Sequence, residues 1–158
     1  MQLTEDQIEK MRAIGLRLDR SGTFWQDGAA VTHARLRQAL LRWLDVREDG
    51  RDIVKLDAQR YAYVEVEDAH LRARAARWDG DRVWIVWDDD AEATEPEELA
   101  YGTLRQAPDH ALYVTARGRL RGRIAGPAYL AIAERVAASG SGFALAAAGR
   151  AWPIASAA

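Results

Sequence analysis

The chain has 158 residues, is 49% hydrophobic and 29% charged, and carries a formal net charge of −2 with no cysteine. A near-neutral charge gives no general pull toward nucleic acid or anionic lipid, and without cysteine there can be no disulfide framework or thiolate metal site. A chain of this length can bury ~70% of its unfolded surface in one core, so residues 1–158 are expected to form a single domain.

The opening, Met1 to Asp6, lacks the basic and apolar regions of a signal peptide. No apolar run approaches the ~20 residues that span a bilayer, so the expected location is the cytoplasm. Thr4 and Gln7 have capping-box spacing, and Leu3 with Ile8 has that of a hydrophobic staple. Together they predict an amphipathic helix whose inner side is Ile8, Met11 and Ile14 or Gly15. Leu16 and Leu18 then alternate with Arg17 and Asp19, as a short strand would. Residues 1–19 are read as this helix and strand.

Residues 22–66 read as strand, turn, strand, helix, turn, strand, turn, strand. Thr23–Gln26 ends at Asp27-Gly28, a hairpin signal, and Ala29–Val31 returns. Thr32 is the expected N-cap of a helix to about Arg47, with Leu36, Leu40, Trp43 and Leu44 on its inner face. Asp49-Gly50 breaks it, and Asp52–Leu56 and Tyr61–Val66 follow as strands.

Residues 70–105 read as a bridging hairpin, turning at Asp79-Gly80, followed by an acidic loop. The run Val83-Trp84-Ile85-Val86-Trp87 predicts a strand covered on both faces. Residues 111–154 repeat the earlier order. Ala111–Ala116 and Arg119–Ile124 flank Arg117-Gly118, and Pro127 opens a helix striped by Leu130, Ala133, Val136 and Ala137, which Gly140 ends. Phe143–Ala146 and Ala151–Ile154 close the copy. A duplicated unit explains this best. The competing explanation is the ordinary alternation of hairpins and helices in α+β domains.

Three stretches give the chain a further likeness. Asp19-Arg20-Ser21-Gly22-Thr23-Phe24-Trp25, then Gly28 and the helix with Leu36, is one. Val64-Glu65-Val66-Glu67-Asp68-Ala69 is the second, and Leu112-Tyr113-Val114-Thr115-Ala116-Arg117 the third. In order and spacing they resemble the bacterial family called domain of unknown function 1285, over roughly Leu18 to Ile154. The resemblance implies an α+β fold with repeated motifs and a ligand-binding or signalling role, with no catalytic residue to carry over. His70 and Leu71 depart from it, standing where the family motif has Pro and Phe. The capped N-terminal helix replaces the family's aromatic, Pro-rich entry.

Four groups could carry chemistry. Asp88 to Glu98 holds seven carboxylates in eleven residues. Counted as a calcium loop it has Ala93 and Leu99 where Gly and Glu belong, so it reads as a solvated acidic loop with no metal. Arg117, Arg119, Arg121 and Arg123 recur at every second residue and could hold phosphate or an acidic partner. Gly118 turns the chain and splits that stripe, and the acidic loop could compensate it. Glu67, Asp68 and His70 could form a general acid–base group, but no nucleophile or oxyanion hole accompanies them. His33 sits in the first turn of its helix, where positive charge is disfavoured. Six tryptophans are many for this length. Trp43 is read as core, and Trp84 and Trp87 point to opposite faces of one strand.

The reading is an α+β protein of two related β-β-α-β-β units with a bridging hairpin and an N-terminal helix. The expected function is a non-enzymatic ligand-binding or regulatory module, with its site in a cleft between the repeats and with Trp25, Trp84, Trp87, Arg117 and Arg119 as ligand contacts. No cofactor, nucleic acid or membrane partner is expected; the small molecule or protein partner stays unidentified. The alternatives are an enzyme using Glu67, Asp68 and His70, and a structural subunit whose Trp-bearing strands pair in a homodimer.

Overall fold

The computed structural model describes residues 2–157; Met1 and Ala158, the two ends of the expected domain, lie outside them. The chain divides into two compact units, residues 1–70 and 71–158. Unit 1 holds α1 (Glu5–Arg12), β1 (Leu16–Leu18), β2 (Phe24–Gln26), β3 (Ala29–Ala30), α2 (Ala34–Trp43), β4 (Leu44–Val46), β5 (Asp52–Lys55) and β6 (Tyr61–Val66). Among the described residues its strands form one sheet in the order β3-β2-β1-β6-β5-β4. Leu18, Phe24, Leu41 and Leu44 are almost wholly buried in it.

Unit 2 holds β7 (Leu71–Asp79), β8 (Arg82–Trp87), β9 (Glu97–Glu98), a 3-10 turn (Tyr101–Thr103), β10 (Arg105–Gln106), β11 (Leu112–Ala116), β12 (Leu120–Ile124), α3 (Gly126–Ala133), β13 (Val136–Ser139), β14 (Gly142–Ala147), β15 (Arg150–Pro153) and β16 (Ala155–Ser156). One sheet runs β16-β10-β11-β12-β7-β8-β9 and a second β13-β14-β15. The middle hairpin belongs to this unit, since β7 pairs in parallel with β12.

The duplication is present, and each copy is larger than the sequence predicts. Each helix is followed at once by a further strand, β4 in one copy and β13 in the other. Each copy is preceded by a strand, β1 or β10, that pairs antiparallel with the next strand and parallel with the last. The registers coincide. Leu18 lies opposite Phe24 and beside Val66; Gln106 lies opposite Leu112 and beside Ser156. The Glu67 N–H donates to Leu18 C=O as the Ala157 N–H donates to Gln106 C=O. The first turn matches too. Asp19 N–H bonds Thr23 C=O and Gly22 N–H bonds Asp19 C=O; Ala107 and Ala111, then His110 and Ala107, repeat both bonds. The two copies keep one register with different side chains, because turn geometry and the alternation of buried positions set it rather than particular residue types.

Both long helices end early. Leu44 leaves α2 to pair with Val54 and becomes 1% exposed, and Val136 pairs with Leu145 where α3 was expected to continue. Sheet pairing overrides helical propensity there. The inner faces shift accordingly. Leu41 is the buried side chain of α2, while Leu36 and Trp43 are exposed; Ala128 and Ile132, four apart, are buried in α3, while Leu130 is exposed. The N-cap of α2 is His33 rather than Thr32, with Nδ1 accepting the Leu36 N–H at 3.2 Å. Gly140 turns the β13–β14 hairpin instead of ending the helix.

The capping box of α1 is present, but its apolar residues do not face inward: Ile8 and Met11 are exposed. The helix turns Glu9 and Arg12 to the sheet. Tyr63 Oη donates to Glu9, Arg47 Nη1 donates to Tyr63 Oη, and the Arg12 guanidinium lies 3.9 Å over the Tyr61 ring. Arg51 covers the Tyr63 ring at 3.4 Å. The hydrogen bond from Tyr63, then that from Arg12, holds the Glu9 carboxyl below its usual range, and the same bond to Glu9 raises the Tyr63 phenol. Cation–π contacts and charge-assisted hydrogen bonds thus seat α1 where an apolar stripe was expected.

Candidate functional site

Asp19 ties the first of the three stretches into one knot. Its Oδ1 accepts the Ser21 and Thr23 N–H groups at 2.9 and 3.0 Å, and its Oδ2 accepts the Trp25 indole N–H at 2.9 Å. Burial opposes ionisation of Asp19, but the bonds from Trp25, Ser21 and Thr23 outweigh it and hold the carboxyl well below the usual range. The polar end of Trp25 is therefore engaged inside the turn.

His70 is 1% exposed, and its Nε2 lies 2.7 Å from Asp52 Oδ1, a carboxylate the sequence does not single out. Glu67 is exposed beside Arg17 at 3.4 Å, and Asp68 is half-buried. Trp84 is 37% exposed and Trp87 1%. The strand bearing them is covered on both faces only over its second half, because Trp84 leaves the first half open.

The acidic run is solvated only in part: residues 91–96 are exposed, but Asp88, Asp89 and Asp90 are all buried. Asp88 pairs with Arg72 at 2.6 Å, and Asp89 with Arg117 at 2.9 Å. Asp90 accepts the N–H groups of Thr94 and Glu95. The Arg117 guanidinium also reaches Glu95 C=O, and its N–H reaches Glu97. Arg117 and Gly118 both take positive φ, a turn that parts Arg117 from Arg121 and Arg123 on β12. Arg119 is exposed, with Nη1 on Arg117 C=O at 3.1 Å. Among the described residues, no group of three His, Asp or Glu side chains is placed to hold a metal ion.

Two concavities of unit 2 adjoin at Tyr129. One, of about 470 Å³, is lined by Asp109, His110, Arg123 and Leu130. The other, of about 260 Å³, is lined by Leu112, Ala133, Val136, Phe143 and Ile154 with Gln106 at its edge. An apolar lining with a few placed polar groups is the usual make-up of a small-molecule site. The polar wall is set in advance: Tyr129 Oη and Gln106 Nε2 both donate to His110 C=O, at 3.3 and 3.4 Å.

The duplication gives this place a counterpart in unit 1. Ile53 lies opposite Tyr63, and Ala144 opposite Pro153. Counting along the matched seams makes Asp52 the equivalent of Phe143 and Val64 that of Ile154. In unit 1 the position is Asp52, whose Oδ1 lies 2.7 Å from His70 Nε2 and which lines a concavity of about 400 Å³ with Leu16, Tyr63 and Val64. In unit 2 the position is Phe143, 52% exposed at the rim of an open apolar concavity.

His110 carries a second signal. It adopts φ +71° where the equivalent turn of unit 1 has Gly22 at φ +90°. This region costs most non-glycine residues roughly 1 kcal/mol, less for His than for bulky side chains. His110→Gly is expected to raise stability by about 0.5 kcal/mol, or 1–2 °C in a melting experiment. An unchanged or lower melting point would show that the imidazole has packing partners that offset the strain.

No family model matches the chain, and no curated protein matches it. Solved structures do. A DUF1285 family protein from Silicibacter pomeroyi DSS-3 is 18% identical with a TM-score of 0.71, covering 90% of this chain and 80% of its own. A DUF1285 family protein from Shewanella baltica OS155 is 12% identical with a TM-score of 0.59, covering 78% of this chain and 93% of its own. The chain thus has the α+β fold of DUF1285 family proteins, the family its three ordered stretches resemble.

Proposed function

We propose that the protein is a non-enzymatic ligand-binding module with a regulatory or signalling role, and that its ligand is a small amphipathic molecule held by unit 2. The supporting observation is the pair of concavities that share Tyr129, both mainly apolar and the larger edged by the side chains of Asp109 and Arg123. Trp84 and Arg119 are exposed, and Trp25, Trp87, Arg117 and Arg119 all have internal partners. The ligand therefore meets unit 2 at Tyr129, His110 and Phe143, and Trp84 is left for contacts with a protein partner.

The test is a thermal-shift panel of metabolites, nucleotides, amino acids and fatty acids on the whole chain. A ligand of the folded state at a hundredfold excess over Kd adds ~2.7 kcal/mol. That is expected to raise the melting point by roughly 5–10 °C. Phe143→Asp copies the unit 1 residue onto an exposed position, so it should leave stability within about 0.5 kcal/mol and abolish the shift. A panel without a hit, or a hit indifferent to Phe143→Asp, would overturn the reading.

A further inference from the structure

We propose that the open edge of β13 pairs with β13 of a second copy, antiparallel across a two-fold axis, and joins two chains into a homodimer. The β13–β14 hairpin fixes which groups that edge offers. Its turn, Gly140-Ser141, leaves Ser139 opposite Gly142 as a hydrogen-bonded pair, and such pairs recur at every second residue. The Arg135 C=O accepts the Ala146 N–H in step with them. Ala137 therefore bonds inward to Ala144, while Val136 and Ala138 turn their N–H and C=O groups outward. Those outward groups have no partner among the described residues, and Ala137, Ala138 and Ser139 are exposed.

The matched edge of unit 1 is closed. Asp45 of β4 lies opposite Ile53 as Ala137 lies opposite Ala144. The Asp45 carboxylate accepts the outward Val46 N–H at 2.8 Å, and the Leu44 N–H donates to Leu41 C=O. The far edge of the small sheet in unit 2 is guarded too, because Pro153 on β15 has no N–H to offer. By contrast β13, Val136-Ala137-Ala138-Ser139, carries neither charge nor proline.

This sequence also suits itself as a partner. With Ala137 on the two-fold axis, Val136 of each copy lies opposite Ala138 of the other, and the bonded pairs use every outward group of both edges. Ala137 then meets its own copy in a close, non-hydrogen-bonded pair, where a small uncharged side chain fits. The same register on β4 would set Asp45 against Asp45, like charges directly opposite. The pairing uses the backbone of β13 and needs no ligand in the adjoining concavity.

Sedimentation of the whole chain without ligand tests this. A few backbone hydrogen bonds and a small apolar contact lie at the low end of specific association, with a Kd on the order of 0.1 mM. The chain is expected to be mostly monomeric at ~10 µM and mostly dimeric at ~1 mM. Over that range, amide exchange at Val136 and Ala138 should slow by roughly fourfold, following the fall in free monomer. Ala137→Asp copies the unit 1 residue onto an exposed position. It should leave the melting point of the dilute chain within ~2 °C and keep the chain monomeric at the higher concentration. Ala137→Val, uncharged and β-favouring, should still dimerise. A parent that stays monomeric throughout overturns the proposal. A dimer that survives Ala137→Asp also overturns it, and assigns the contact to another surface. So does a dimer whose Val136 and Ala138 amides exchange as fast as those of the monomer, a reading that decides even if Ala137→Asp folds poorly.

Discussion

Gly122→Ala is expected to cost about 3 kcal/mol, the upper end for an overpacked core position, and to lower the melting point by roughly 10 °C. A Cβ on Gly122 would stand 2.3 Å from Cη2 and 2.7 Å from Cζ3 of Trp87. That ring cannot yield cheaply, because Trp87 is 1% exposed and its indole N–H is held by Glu97 at 3.3 Å. The backbone has no more room, since Gly122 pairs with Val114 on one side and Leu71 on the other. Trp87→Leu would cost about 2–3 kcal/mol alone. In that background Gly122→Ala should become nearly neutral, a coupling of about 3 kcal/mol in a double-mutant cycle by urea denaturation. If Gly122→Ala melts within 2 °C of the parent, the close approach of ring and strand is wrong.

Asp90→Ala is expected to cost about 3 kcal/mol at neutral pH, since two backbone N–H groups would lose a charged acceptor in a buried place. Asp90 is 0% exposed, with Oδ1 on the Thr94 N–H and hydroxyl and Oδ2 on the Glu95 N–H. Burial works against its charge, but these hydrogen bonds, with help from Arg117, hold its carboxyl below the ordinary value. A carboxyl lowered in the folded state stabilises fully above its unfolded pKa, about 4, and this is lost as pH falls through the folded value. Asp19, Glu9 and Asp57, the last lowered to about 2, share that sign. The parent should therefore lose stability progressively below about pH 4, while the gap between it and Asp90→Ala narrows. Urea midpoints from pH 7 to pH 2 decide it; a gap that stays constant would assign the cost to loop packing.

The repeat was legible because hairpin turns, caps and glycine stops are local signals. Asp27-Gly28, Arg117-Gly118 and Thr4 with Gln7 do in the structure what their residue types imply. The strands β4 and β13 were not legible, since Leu44-Asp45-Val46 and Val136 to Ser139 continue the helical pattern and become strands only by pairing with the strand that follows each of them. The site failed because its partners are distant in sequence. Asp52 and His70 lie eighteen residues apart with nothing between to mark the pair, and Phe143 gains meaning only once it is matched to Asp52. Asp88 to Asp90 looked solvated because composition does not show that Arg72 of β7 and Arg117 of the β11–β12 turn come to meet them.

In each unit the parallel seam joins the first strand of a copy to its last, pairing Leu18 with Val66 and Gln106 with Ser156. Partners roughly fifty residues apart make a slow, high-contact-order closure. During synthesis β1 must wait until β6 has left the ribosome, with β2 to β5 held open along one edge. The same delay then recurs for β10 and β16. Translation thus imposes two successive closing events on the nascent chain, and between them the first copy can complete its sheet while the second does not yet exist. A synonymous slow stretch after codon 70 would help that order, and one inside either copy would prolong the exposure of the open edge of β1 or β10.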